Sequence, residues 1–161
     1  MPEHRYNALV EWTNADPNTP MTARSYSRNH TVTISDKPAL TMSADPSFRG
    51  DNTLYNPEEM LLAATASCHM LSYLFRCAQN NITIVSYTDK AVGTMQVDGN
   101  GGRFTGIALF PVVTIKESDL VDKATELHRQ ANKDCFIANS LNFEIKHNAV
   151  VKAVSVNAQH D

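Results

Sequence analysis

The sequence has no run of basic residues. Its 14 lysines and arginines are scattered among 17 acidic residues, giving a formal charge of -3, so it carries no electrostatic footprint for nucleic acid. Long apolar runs are also missing. The longest, Met60 to Phe75, is interrupted by polar side chains and falls short of the roughly 20 residues that a bilayer span needs. The N-terminal MPEHRYNALVEW lacks a basic start followed by an apolar core, so neither a secretory signal nor a membrane partner is expected, and a cytoplasmic location is. Cysteine is scarce: Cys68, Cys77 and Cys135 make an odd count, and in a reducing compartment stable structural bridges are not expected. There is no C-x-x-C pair and no H-E-x-x-H. The histidines (His4, His30, His69, His128, His147 and His160) are dispersed, so no metal site is expected. Repeats, linkers and low-complexity segments are absent as well.

What is there reads as a single domain over 1–161. A chain of 161 residues that is 42% hydrophobic and 19% charged can bury a core without staples. Strands are expected over residues 4 to 13 and 26 to 34, then a long turn-rich loop with a short strand over 36 to 55. A helix follows with a clear start: Asn56 as N-cap, Pro57 at the first helical position, and Glu58 and Glu59 at the positive end. From Met60 to Ala78 it is almost wholly apolar or small, as in a central helix. Strands are expected again over 82 to 87, 91 to 97 and 104 to 115, with a hairpin turn at DGNGGR. Ser118 is placed as the cap of a second, amphipathic helix to about Lys133, with Leu120, Ala124, Leu127 and Ala131 as its apolar stripe. Cys135 falls just past its end. Valines at 150, 151, 154 and 156 close the chain as one or two further strands. Strands grouped before and after helices indicate an α+β fold.

A cysteine on an apolar helix is most often packing material, and for Cys77 that reading stands. It lies nine residues from Cys68, about 13.5 Å along a helix, beyond the roughly 7 Å that a disulfide allows between Cα atoms. His69 adjoins Cys68 but points about 100° away from it, so a Cys-His hydrolase has no visible base.

The stretch NPEEMLLAATASC, followed about seventy residues later by ANKDCFIANS after an amphipathic helix, resembles the OsmC/Ohr family, the osmotically inducible and organic hydroperoxide resistance proteins. The resemblance implies a thiol peroxidase acting on organic hydroperoxides without a cofactor, in which Cys68 is oxidised to a sulfenic acid and Cys135 resolves it as a disulfide. It also implies a homodimer with sites at its interface, recycled by a dithiol of dihydrolipoyl or thioredoxin type. In the family an Arg and a Glu stabilise the thiolate. Glu58 matches the Glu. Arg49 is the first choice for the Arg, with Arg28 next and Arg24 near it. Phe136 departs from the proline more usual after the second cysteine. The chemistry suits the residues, since only a thiolate is nucleophilic and a sulfenic acid without a nearby thiol over-oxidises.

Ten helical residues separate Glu58 from Cys68 by about 15 Å, too far for one arginine to bridge. A break at Ala64 to Ser67 is therefore expected, which would put Cys68 in the first turn of a second helix. Phe48, Tyr55, Met60, Leu61 and Met70 are expected to line an apolar substrate pocket. The alternative function is a small apolar-ligand-binding protein on the same scaffold, without redox turnover.

Overall fold

The computed structural model describes residues 2–99 and 101–155, so the expectations for Val156 and His160 lie outside the described residues. The fold is α+β, with nine strands and two α-helices among the described residues. The chain divides into two compact units, Met1–Leu61 and Leu62–Asp161.

The first unit is a three-stranded antiparallel sheet of β1 (Leu9–Glu11), β2 (His30–Thr33) and β3 (Leu40–Met42), with β2 in the middle. The strands are shorter than their sequence patterns suggest. Polar loops rich in turn residues take up the rest, including a single helical turn at Pro46–Phe48 capped by the Asp45 carboxylate, which accepts from the Ser47 N–H at 2.7 Å. Gly50 closes that turn against Ala44, whose carbonyl oxygen would lie 1.6 Å from any Cβ placed there. Only glycine fits.

Helix α1 runs from Pro57 to Gln79 as 23 unbroken residues. Its start follows the expected chemistry. The Asn56 side chain accepts from the Glu59 N–H at 2.8 Å, and the Glu59 carboxylate accepts from the Asn56 N–H at 3.2 Å, a reciprocal capping box. The expected break at Ala64 to Ser67 does not occur. Alanine is the best helix former, and Thr65 and Ser67 each cost only about 0.5 kcal/mol relative to it. That is less than the helix gains by burying the stripe Thr65, His69, Tyr73 and Cys77, four residues apart. Cys68 is therefore the twelfth of 23 helical residues, not a first-turn residue, and the dipole at the helix start, which fades within one turn, does not act on it.

The second unit contains two three-stranded sheets. One orders β4 (Ile84–Asp89), β7 (Pro111–Ile115) and β9 (Val150–Ala153); the other orders β5 (Val92–Asp98), β6 (Gly101–Leu109) and β8 (Ile145–His147). In each, the first pair is antiparallel and the last strand joins in parallel. The single strand expected over 104 to 115 is two strands. Pro111 opens β7 where its missing N–H costs no ladder bond, and the Phe110 N–H turns to the Asp89 carboxylate at 2.8 Å.

Helix α2 spans Val121–Asp134 after a helical turn at Ser118–Leu120, and no side-chain cap bond forms at the start of either, so Ser118 does not act as a cap. The apolar stripe does what was expected: Ala124, Leu127 and Ala131 are fully buried against Tyr73, Cys77, Ile82, Val113 and Ile115. No described helix is long and apolar enough to cross a membrane.

Candidate active site

Two helical faces meet in the second unit. The face of α1 next to its buried stripe carries Cys68, Leu71, Ser72, Phe75 and Arg76 at positions i, i+3, i+4, i+7 and i+8, so one strip of helix surface holds them all. Together with Lys133, Asp134, Phe136 and Asn139 from the end of α2 and beyond, they line an open cleft of about 810 Å³. Its walls are mostly apolar. Leu71 and Phe75 are about 60% exposed, at 59% and 61%, and Phe136 is 82% exposed.

Cys135 caps the C-terminus of α2 in an extended conformation and is fully buried. Its thiol neighbours the Cys68 thiol closely enough to be perturbed by it. The 66 intervening residues thus return the second cysteine to the first, while Cys77 remains buried in the core as packing. Burial, and then the neighbouring Cys68, push the Cys135 thiol up to about 11, with the Ala138 and Ile137 N–H groups acting in the opposite direction. Cys135 is accordingly a protonated thiol near neutral pH. The Ala138 N–H lies 3.4 Å from its sulfur.

The cleft contains cations that the sequence reading did not select. Arg76 Nε donates to Asp134 Oδ2 at 2.5 Å, which ties α1 to the residue immediately before Cys135. Lys133 lines the same cleft. The signal for Arg76 was its position eight residues after Cys68, two helical turns along the same face.

The other selected residues lie elsewhere. Arg49 is exposed and left-handed, φ 68°, just after the Pro46–Phe48 turn. Arg28 and Glu58 line a smaller cleft of about 280 Å³ in the first unit, together with Trp12, Tyr26 and Phe48. There the Arg28 guanidinium stacks 3.9 Å over the Tyr26 ring and donates to the Ala23 carbonyl. Arg24 and Arg49 do not line it. Tyr55, Met60, Leu61 and Met70 are not among the walls of the Cys68 cleft, and Phe48 belongs to the smaller one.

Behind Cys68 three histidines come together, one each from α1, α2 and β8. His69 Nε2 and His128 Nδ1 are 3.1 Å apart, His147 stacks on His69 with ring centroids 5.6 Å apart, and Tyr73 stacks on His128 at 3.7 Å. Burial depresses His69 to about 4 and His128 to about 3, and neighbouring imidazoles add to both shifts; burial lowers His147 too. The three ring planes lie within 29° of parallel. Among the described residues no group of three or more His, Cys, Asp or Glu is arranged to hold a metal ion.

The arrangement is a paired-thiol site, with an apolar open cleft on one side and a neutral histidine stack on the other. Sequence comparison assigns the scaffold: the profile of OsmC-like proteins matches residues 50–149, and the chain belongs to that family. An OsmC-like protein of unknown function from Vibrio cholerae is 30% identical, with a TM-score of 0.83 over 92% of this chain and 100% of that one. Two more distant proteins share the fold. An organic hydroperoxide resistance protein from Legionella pneumophila is 16% identical with a TM-score of 0.69, over 94% of this chain and 99% of its own. One from Elizabethkingia anophelis is 17% identical with a TM-score of 0.66, over 95% and 99%. No curated protein matches the chain in sequence.

Proposed function

We propose that the protein is a thiol peroxidase that reduces organic hydroperoxides to alcohols. The observation that carries this reading is the approach of the Cys68 and Cys135 thiols beside a cleft that only Cys68 lines. The Cys68 thiolate attacks the terminal peroxide oxygen and breaks the O–O bond; the alcohol leaves with a proton and Cys68 becomes a sulfenic acid. Cys135 then condenses with it, releasing water and forming a disulfide, before the sulfur can climb the oxidation ladder. A dithiol of dihydrolipoyl or thioredoxin type restores both thiols. The organic character of the substrate follows from Ala64, Leu71, Phe75 and Phe136. Burying about 100 Å² of alkyl chain against such walls is worth about 2.5 kcal/mol, which hydrogen peroxide cannot gain.

The unbroken α1 supports a homodimer. Glu58 and Cys68 of one chain are ten residues apart along a single helix, about 15 Å, so an Arg and Glu pair acting on the thiolate comes from a second copy. Arg28 shares a cleft with Glu58 and Arg49 does not, which moves the arginine role to Arg28. Sedimentation of a monomer at micromolar concentration would sink this part.

The apolar cleft also suits the second reading, a binding protein for a small apolar ligand. Thiol counting separates the two. With cumene hydroperoxide, the peroxidase loses two of its three thiols within one turnover. Cys68→Ser loses none, and Cys135→Ser stalls at the sulfenate. Slow, equal loss in all three proteins would rule out turnover.

A further inference from the structure

The two sulfurs differ sharply in access. Cys68 is half-buried and lines the open cleft, whereas Cys135 has no exposed surface and is absent from the cleft walls. The segment after Cys135 is tied down on both sides. Asn139 Nδ2 donates to the Lys133 carbonyl at 2.9 Å, the Ser140 hydroxyl to the Phe136 carbonyl at 2.7 Å, and the Ala138 N–H to the Cys135 sulfur at 3.4 Å. Joining two neighbouring sulfurs in a bond of about 2.05 Å does not require this segment to open. Cys135 therefore stays buried when oxidised.

From this asymmetry we infer that the external reductant attacks Cys68, so that one sulfur serves both half-reactions and Cys135 is a buried internal leaving group that never meets the reductant. The inference rests on the disulfide step of the proposed function but not on its peroxide. Exchange needs the incoming thiolate in line with the S–S bond. From the cleft, that line passes through the Cys68 sulfur and ends on Cys135. A dithiol reductant forms a bond to the Cys68 sulfur while the S–S bond breaks and its electron pair goes to Cys135. There the Ala138 N–H receives the developing charge before a proton, given up by the attacking thiol, restores Cys135 as a thiol. The second thiol of the reductant then displaces Cys68 from the mixed disulfide, leaving the reductant oxidised by two electrons and both cysteines reduced.

One effect opposes this choice. A leaving thiol of high pKa departs more slowly, and the elevated Cys135 would slow its departure by about tenfold at a Brønsted coefficient near 0.5. Attack at Cys135 avoids that penalty but requires residues 135–140 to open against the bonds named above, because a sulfur without exposed surface offers no line of approach. Access decides.

The test uses the wild-type protein oxidised with diamide, so the disulfide does not depend on any peroxide. A brief pulse of 2-mercaptoethanol is quenched in acid, and peptic peptides are mapped by mass spectrometry. The mixed disulfide is expected on the peptide bearing Cys68 at least tenfold over that bearing Cys135. A second measurement avoids reclosure of the disulfide: the single mixed disulfides of Cys135→Ser and Cys68→Ser with thionitrobenzoate are reduced by 2-mercaptoethanol. Release from Cys68 should be at least tenfold faster. An adduct on Cys135, equal shares, or failure of diamide to join the two cysteines would each overturn the inference. Failure of the peroxidase reading shows itself separately, as no rapid thiol loss with cumene hydroperoxide.

Discussion

Arg76 Nε sits 2.5 Å from Asp134 Oδ2, and the partner carboxylate belongs to the residue that precedes Cys135. The pair spans 58 residues of sequence and fixes the end of α2 against the face of α1 that carries Cys68. Both side chains are about one-third exposed, at 33% and 38%, so the pair is screened and contributes little to global stability. Its effect is on position. Arg76→Ala or Asp134→Asn should leave the melting temperature nearly unchanged and slow disulfide formation by about tenfold or more, since ångström-scale misplacement costs rates of that order. Mass spectrometry after a hydroperoxide pulse should then show more sulfinic acid on Cys68. Unchanged closure kinetics in both variants would remove the pair from the mechanism.

Phe136 occupies the place after Cys135 and is 82% exposed at the cleft. Truncating a side chain so exposed leaves the core intact. Phe136→Ala should lower kcat/KM for cumene hydroperoxide by about three- to tenfold, the value of roughly 30–50 Å² of lost apolar contact, and leave the rate with hydrogen peroxide unchanged. Parallel losses with both peroxides would mean that the ring supports the Cys135 segment rather than the substrate.

The start of α1, the stripe of α2 and the placement of Cys135 beyond it were all legible because each rests on local chemistry: a cap, a period, a helix end. Continuity of α1 was not. Propensity at Ala64 to Ser67 is a weak term, and the packing of Thr65 and His69 on their neighbours outweighs it. The five residues chosen for the cleft, Phe48, Tyr55, Met60, Leu61 and Met70, do not line it. Leu71, Phe75 and Arg76 follow from Cys68 by helical spacing alone, yet Met60, Leu61 and Met70 were chosen by composition, which does not say which way a side chain faces. The histidine stack could not be read at all, because its members come from α1, α2 and β8 and meet only through tertiary packing.

Asn56 is 4% exposed and its side chain holds the first turn of α1. Asn56→Ala removes the acceptor for the Glu59 N–H and should cost about 1 kcal/mol. Asn56→Asp keeps the acceptor and adds charge at the positive helix end, so it should lose nothing measurable. Urea unfolding of the three proteins checks the order. Equal midpoints for Ala and Asp would show that the cap does not matter.

The histidine stack makes stability depend on pH in a window above the ordinary carboxylate range. His69 Nε2 faces His128 Nδ1 at 3.1 Å, so one ring must donate and the other accept. Full protonation would put two N–H groups against each other in a buried site. Burial is the main cause of the depressed values, about 4 for His69 and about 3 for His128, with His147 lowered beside them. An unfolded histidine takes up its proton near 6.5. Below that pH the unfolded chain binds protons that the folded chain refuses. The stabilisation is therefore fully present above about pH 7 and is lost as pH falls from 6.5 towards 4, by up to about 1.4 kcal/mol per pH unit for each histidine. Ordinary carboxylates titrate near 4, and Asp89, which burial raises, adds stability as pH falls, so a urea midpoint that drops between pH 7.5 and 5 reports the histidines. The midpoint should drop steadily over that range in the wild type. In His128→Phe, which keeps a ring stacked on Tyr73 but cannot be protonated, the drop should be shallower. A midpoint that is the same at pH 5 and pH 7.5 in the wild type would mean that the stack takes up protons without loss of the fold, and the neutral pairing of His69 with His128 would have to be given up.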